Sequence, residues 1–297
     1  MTADAEIRAK TVEVVLPAPA PHWVGDGFQV RPIFADAAFT DRVSPFLMFD
    51  WAAPRDFPPS RTPRGVGPHP HRGFETVTLV YAGEVEHRDS AGHGGRIGPG
   101  DVQWMTAGSG VLHEEMHSRA ATEAGGPVSM AQLWVNLPAT AKMMPPRYQA
   151  ITAQDIPTVR LGGARFRVVA GELAGDDGVV LRGPAATVTP LAVLDGVVAA
   201  GASVDLPIPR GWRTSIAVLS ADPVIAGQTV RGPGVACLSD AGDFVRIAAG
   251  AQNARVLVLT GRPIDEPIAH LGPFVMNTRA ELEQAVFDFR SGAMGRL

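Results

Sequence analysis

Four side chains able to hold a metal ion stand in two short pairs, His69-Pro70-His71 and His113-Glu114-Glu115. Residues two apart on a β-strand point to the same face. Each pair therefore offers two ligands side by side from one rigid segment: His69 with His71, and His113 with Glu115. By the same rule Glu114 points the other way. Three neutral imidazoles and one carboxylate suit iron, manganese, nickel, copper, cobalt or zinc, and not a calcium cage. Cys237 is the only cysteine, which excludes a thiolate site, an iron–sulfur cluster and an internal disulfide. A divalent ion on these four donors carries a net charge near +1. If six-coordinate, it keeps two positions open for water, substrate or O2.

If His69 through Tyr81 is one continuous strand, Glu75 shares the histidine face and stands close to the site as a supporting carboxylate. His87, His93 and His117 lie nearby, but their parity or loop position argues against ligation. His22 and His270 read as surface or structural residues, and Cys237 as a small buried core residue. Gly108-Ser109-Gly110 lacks the strand–serine–helix elbow of a hydrolase. Gly92-His-Gly-Gly95 is followed by neither a helix nor a Lys-Ser/Thr pair, so both glycine stretches read as hairpin turns.

The elements that must position these residues are short β-branched and aromatic runs between scattered glycines and prolines. They fall at 74–81, 100–105, 130–137, 166–170, 186–195, 214–219, 234–238, 244–248 and 254–260. That spacing predicts an all-β sandwich or barrel. One helix is expected near the C-terminus. Thr278-Arg-Ala-Glu281 forms a capping box, Leu282, Ala285, Val286 and Phe289 follow at helical spacing, and Gly292 ends it. It has no chemical role in this reading.

A weak repeat divides the chain. His71-Arg-Gly-Phe-Glu-Thr aligns with Pro209-Arg-Gly-Trp-Arg-Thr, and Gly98-Pro-Gly aligns with Gly232-Pro-Gly. His69 then falls on Pro207, His71 on Pro209 and Glu75 on Arg213. Proline cannot bind a metal, so a duplicated barrel is expected in which only the N-terminal copy keeps the site. The division is 1–140 and 141–297, with a linker around Pro138–Pro157.

The chain has 297 residues, 45% hydrophobic and 19% charged, with a net charge of −4. This is ordinary globular composition and offers no basic surface for nucleic acid or an anionic membrane. Met1 to Lys10 has no apolar leader core, and no apolar run approaches the ~18 residues of a membrane span. A cytoplasmic protein is the expectation.

The two metal motifs resemble those of the cupin superfamily, though the glycine spacing before each histidine departs from the usual pattern. More specifically, the chain resembles the pirin family over nearly its whole length. The resemblance rests on Phe46-Leu-Met-Phe-Asp50, His69-Pro-His-Arg-Gly-Phe-Glu-Thr-Val-Thr78, Glu84-Val-Glu-His-Arg-Asp-Ser90, Pro99-Gly-Asp-Val-Gln-Trp-Met-Thr-Ala-Gly108 and His113 to Met116. Gln132-Leu-Trp-Val-Asn-Leu137, Pro207-Ile-Pro-Arg-Gly-Trp212 and Gly272-Pro-Phe-Val-Met-Asn277 extend it.

It implies two tandem cupin barrels with His69, His71, His113 and Glu115 as ligands, iron in the N-terminal barrel, a metal-free second barrel and Glu75 behind the ligands. It departs from the family at Glu114, where relatives carry Ser or Ala. The implied activity is quercetin 2,3-dioxygenase, with a flavonol bound through its deprotonated 3-hydroxyl, O2 as co-substrate and Glu115 as base. The alternatives it leaves open are a regulatory or metabolic protein partner, with the iron as redox switch, and a cupin enzyme with a non-redox metal. Two barrels in one chain supply the pairing that single-domain cupins obtain by dimerising, so a monomer is expected.

Overall fold

The computed structural model describes residues 7–35 and 39–297. Residues 1–6, part of the N-terminal stretch read above for a leader, lie outside the described residues. No helix among the described residues is long and apolar enough to cross a membrane.

The chain is all-β and builds one plan twice, as two cupin-type domains. The first copy has a seven-stranded sheet in the order Arg147–Ile151, Val102–Thr106, Phe74–Ala82, Gly126–Asn136, Phe46–Phe57, Phe28–Phe34 and His22–Val24. Its four-stranded sheet runs Gly65–His71, Val111–His117, Val85–Asp89 and Gly94–Ile97. The second copy has a seven-stranded sheet in the order Val12–Pro17, Gly234–Leu238, Arg213–Ser220, Ala254–Gly261, Leu191–Val198, Ala164–Ala170 and Thr158–Leu161. Its smaller sheet runs Ser203–Pro207, Phe244–Ala248, Val224–Ile225 and Gln228–Thr229. The orders match position by position. Gly65–His71 corresponds to Ser203–Pro207, as the alignment of His69 with Pro207 requires.

The compact units are interleaved rather than consecutive. One comprises Pro19–Thr40, Phe46–Asp155 and Ile264–Leu297; the other holds the N-terminal segment through Ala18, Asp41–Pro45 and Ile156–Pro263. A single division at 140/141 therefore misplaces both termini. The reason is edge pairing. Val12–Pro17 pairs antiparallel with Gly234–Leu238 and covers that edge of the second large sheet. Arg147–Ile151 covers the equivalent edge of the first, beside Val102–Thr106. Val102–Thr106 and Gly234–Leu238 are thereby paired on both sides.

The second unit encloses a continuous apolar core including Phe166, Ile216, Val218, Ile247, Val256 and Val258, all fully buried. In the first unit, Phe28, Val30, Val80 and Met130 form an apolar cluster beside a cavity. The expected helix is present at Arg279–Ser291, with the Thr278–Glu281 capping box and Gly292 in the left-handed conformation.

A second expectation is also corrected. His69 to Tyr81 is not a continuous strand. Gly65–His71 belongs to the small sheet, Phe74–Ala82 to the large one, and Gly73 turns the corner between them at φ +84°. A Cβ at Gly73 would lie 2.0 Å from the carbonyl oxygen of Val275, so only glycine fits. The corner breaks the alternation. Phe74 and Thr78 take the side of the histidines, and Glu75 faces away.

Candidate metal centre

Two antiparallel neighbours bring the histidines together. His69 stands directly opposite His113, and the register shifts between His113 and Glu115, so that Glu115 opposes Val66. Such an extra residue bends the strand and re-aims its side chains. The ring centroids lie 4.8 Å apart for His69–His71, 4.3 Å for His69–His113 and 4.8 Å for His71–His113. One ligand nitrogen from each ring falls within 4.8 Å of the others.

The hydrogen bonds decide which nitrogen each ring offers. His69 Nδ1 is 2.9 Å from the Gly67 carbonyl and His71 Nδ1 is 3.4 Å from the Pro273 carbonyl. A carbonyl only accepts, so both Nδ1 atoms carry the proton and both Nε2 atoms keep a lone pair. His113 Nε2 is buried without a hydrogen-bond partner. Burial lowers the His71 pKa to about 3, assisted by His69, and holds His113 well below the usual imidazole range. Neutral imidazoles with free Nε2 lone pairs and one orphaned nitrogen are what a divalent transition metal requires. The donor set fits that group.

Glu115 is 6% exposed and is held from behind. Its Oε1 accepts from Gln103 Nε2 and lies 3.1 Å from Thr78 Oγ1. Thr78 Oγ1 also lies 2.7 Å from Gln132 Oε1, and the Tyr148 hydroxyl donates to Gln103 Oε1 at 3.3 Å. With Oε1 engaged, Oε2 is the oxygen left for an ion or a substrate proton. Tyr148 stays protonated: burial first, then the charges of Glu115 and Asp89, push its pKa up to about 12.

His87, which parity keeps out of the ligand set, is buried against the cluster. It stands opposite Glu115 on the neighbouring strand, its Nδ1 is 3.4 Å from His113 Nδ1, and its Nε2 is 3.3 Å from Asp89 Oδ2. Tyr148 stacks on it at 4.7 Å and 12°. Asp89 also accepts from the backbone N–H groups of Ala91 and His93 and from His93 Nδ1. Burial raises the Asp89 carboxyl, but the bonds from His87 and His93 outweigh it and hold the pKa below the usual range. His87, His113 and Glu115 are close enough to form a second donor group. Both His87 nitrogens are already engaged, however, so it backs His113 instead of joining the set. If His113 keeps its Nε2 lone pair, its Nδ1–H donates to His87 Nδ1, and His87 Nε2–H donates to Asp89.

Three further expectations resolve plainly. Glu114 points outward and pairs with Arg88. His117 bonds the Gly27 carbonyl at 2.9 Å, away from the donors. Glu75 accepts from Thr106 Oγ1 at 2.6 Å and lies 3.9 Å from Arg147. Thr78 and Gln103 support Glu115 in the place foreseen for it. Gln103 was visible in sequence as a lone amide between Val102 and Trp104. Pro273, some two hundred positions from His71, gave no signal.

His69, His71 and Glu115 form part of the wall of a cavity of about 540 Å³. The rest is mostly apolar, with Phe28, Val30, Met130, Trp134 and Val275 among its side chains, and Thr40, Asp50, Gln132 and His270 as polar exceptions. The volume is in the range of sites for small organic ligands.

Residues 27–135 match the Pirin family, and residues 193–295 match the Pirin C-terminal cupin domain. The chain is 51% identical over 274 residues to a Pseudomonas aeruginosa protein provisionally named quercetin 2,3-dioxygenase, covering 91% of this chain and 93% of that one. It is 38% identical to human pirin over 259 residues, covering 85% and 83% of the two chains. A crystal structure of quercetin 2,3-dioxygenase from Acinetobacter baumannii superposes with a TM-score of 0.92 at 47% identity, covering 97% of this chain and 99% of that one.

Proposed function

This chain belongs to the pirin family of cupin proteins, and on that premise we propose that it is a flavonol 2,3-dioxygenase dependent on one divalent transition metal ion. His69, His71 and His113 would hold the ion through Nε2 and Glu115 through Oε2; of the ions these donors admit, iron is the one the pirin resemblance implies. The observation that carries the reading is the opening of His69, His71 and Glu115 onto a mostly apolar cavity of about 540 Å³. The names borne by the Pseudomonas and Acinetobacter relatives support it.

When bound, the ion supplies Lewis acidity and a redox-active meeting point for flavonol and O2. The remaining work belongs to the chain. Glu115 Oε2, when not on the ion, takes the proton of the flavonol 3-hydroxyl, while Gln103 and Thr78 keep Oε1 from rotating into its place. Trp134 lies 5.3 Å from His71, ring to ring, and offers a flat apolar wall to a planar substrate. The apolar lining keeps bulk water from the reacting ring.

Elemental analysis combined with oxygen uptake on a flavonol panel tests the reading. His69→Ala loses both metal and quercetin consumption. Glu115→Gln retains metal on three histidines and loses turnover by about 10²–10⁴-fold. Full quercetin consumption by metal-free protein overturns the proposal.

A further inference from the structure

The Phe46-Leu-Met-Phe-Asp50 stretch carries part of the family resemblance, and its carboxylate neither meets the metal donors nor moves the substrate proton. Asp50 stands opposite Gln132, Gln132 opposite Thr78, and Thr78 opposite Gln103. These four residues make one polar row across four adjacent strands. Neighbouring strands are ~4.8 Å apart, so Asp50 stands about two strand spacings beyond Thr78, which contacts Glu115.

Three members of the row are accounted for. Gln103 Nε2 donates to Glu115, and the single hydroxyl proton of Thr78 is shared between Glu115 Oε1 and Gln132 Oε1. Asp50 is the exception. It lines the cavity among Val24, Phe28, Val30, Met48 and Met130, and its Oδ1 is buried without a hydrogen-bond partner. Burial pushes its pKa up to about 6, with only His22 acting in the other direction. A carboxylate facing an apolar cavity with an unsatisfied oxygen weakens a fold. An apolar side chain would serve packing better, so the group points to a ligand.

We propose that Asp50 is the recognition residue of the cavity, its Oδ1 accepting a hydrogen bond from a phenolic hydroxyl other than the one that meets Glu115. The proposal deepens the flavonol reading and rests on it. The occupant is then a planar aromatic carrying at least two hydroxyls, one directed to the metal centre and one to Asp50. A ligand with a single metal-directed hydroxyl leaves the Asp50 oxygen unpaired and binds more weakly. A polar group built to meet a hydroxyl discriminates strongly against the analogue that lacks it.

The test compares quercetin with 3-hydroxyflavone, which has no hydroxyl beyond the metal-directed one. The protein is loaded with zinc to prevent turnover, and binding is read from quenching of tryptophan emission. Wild-type protein prefers quercetin by about tenfold or more, the scale of a hydrogen bond to a charged acceptor. In Asp50→Leu that ratio collapses towards one. Asp50→Asn, nearly isosteric, gives an intermediate ratio and controls for folding, with thermal melts of both variants alongside. An undiminished preference in folded Asp50→Leu overturns the role of Asp50 while leaving the flavonol reading intact. If neither flavonol binds wild-type protein, both fail together.

Discussion

His87 shows how much a buried side chain can matter without touching an ion. It ties His113 to Asp89, which is itself tied to two backbone amides and His93. A ligand imidazole whose far nitrogen is anchored keeps one tautomer and one orientation. Replacing His87 with Phe keeps the ring against Tyr148 and removes both nitrogens. Metal affinity should fall by roughly 10–100-fold, measured by competition with a chromogenic chelator; unaltered affinity would show that His113 needs no such anchor. Asp50 gives the pH-dependent case. Its pKa is raised from 3.8 to about 6 in the folded protein, so between those values the folded state binds more protons than the unfolded state. Stability from this group therefore rises as pH falls from about 6 towards 4, and its charged form weakens the fold above that window. Asp50→Asn should melt higher than wild type at pH 8, and the difference should shrink through pH 6 and vanish near pH 4. A constant difference across that range would mean that the Asp50 charge carries no such cost.

At the scale of elements, the C-terminal segment contributes more than packing. Its Pro273 carbonyl orients His71, and its Val275 carbonyl closes on Gly73 and accepts from Lys142 Nζ at 2.9 Å. Lys142 is 1% exposed and gives its other two protons to Gly73 O and Asn136 Oδ1, both at 2.8 Å. Burial lowers its pKa to about 8, while the three acceptors match the three donors of an ammonium. The helix Arg279–Ser291 adds Asp288, whose Oδ2 lies 2.8 Å from Arg72 Nη1 beside the Gly73 corner. Asp288→Ala leaves a guanidinium that is 5% exposed without its counter-charge, and should cost about 2–4 kcal/mol and several degrees of Tm. Thr278→Ala removes only the cap and should cost about 1 kcal/mol. Calorimetry on both variants decides whether the ion pair outweighs the cap. Equal losses would show that the helix is held by its apolar face alone.

For the whole molecule, interleaving makes the terminal segments structural in unexpected places. Val12–Pro17 fills the edge beside Gly234–Leu238 in the second unit, whereas the metal donors all lie in the first. Deleting residues up to Pro17 should therefore lower the melting temperature of the second unit and promote aggregation through the exposed edge. Metal content should stay near one ion per chain. Light scattering, calorimetry and elemental analysis of the truncated protein separate these outcomes, and loss of metal together with the strand would contradict the independence of the two.

The sequence alone carried the all-β class, the duplication, the capped helix and the convergence of His69, His71 and His113. These depend on short-range rules: alternation along a strand, capping at fixed offsets, and proline where histidine would be needed. Glu114 obeyed parity because its strand is unbroken there. Glu75 did not follow the expectation, and the contact of His87 with the ligand His113 had no local signal. Gly73 ends one strand and begins another, which reverses alternation, and His87 meets His113 across a pairing that no local pattern encodes. The Pro273 carbonyl behind His71, the amide and hydroxyl behind Glu115, and the unpaired carboxylate of Asp50 were decided only by tertiary structure. Each depends on which strands lie side by side, and that register is chosen by burial summed over a whole sheet.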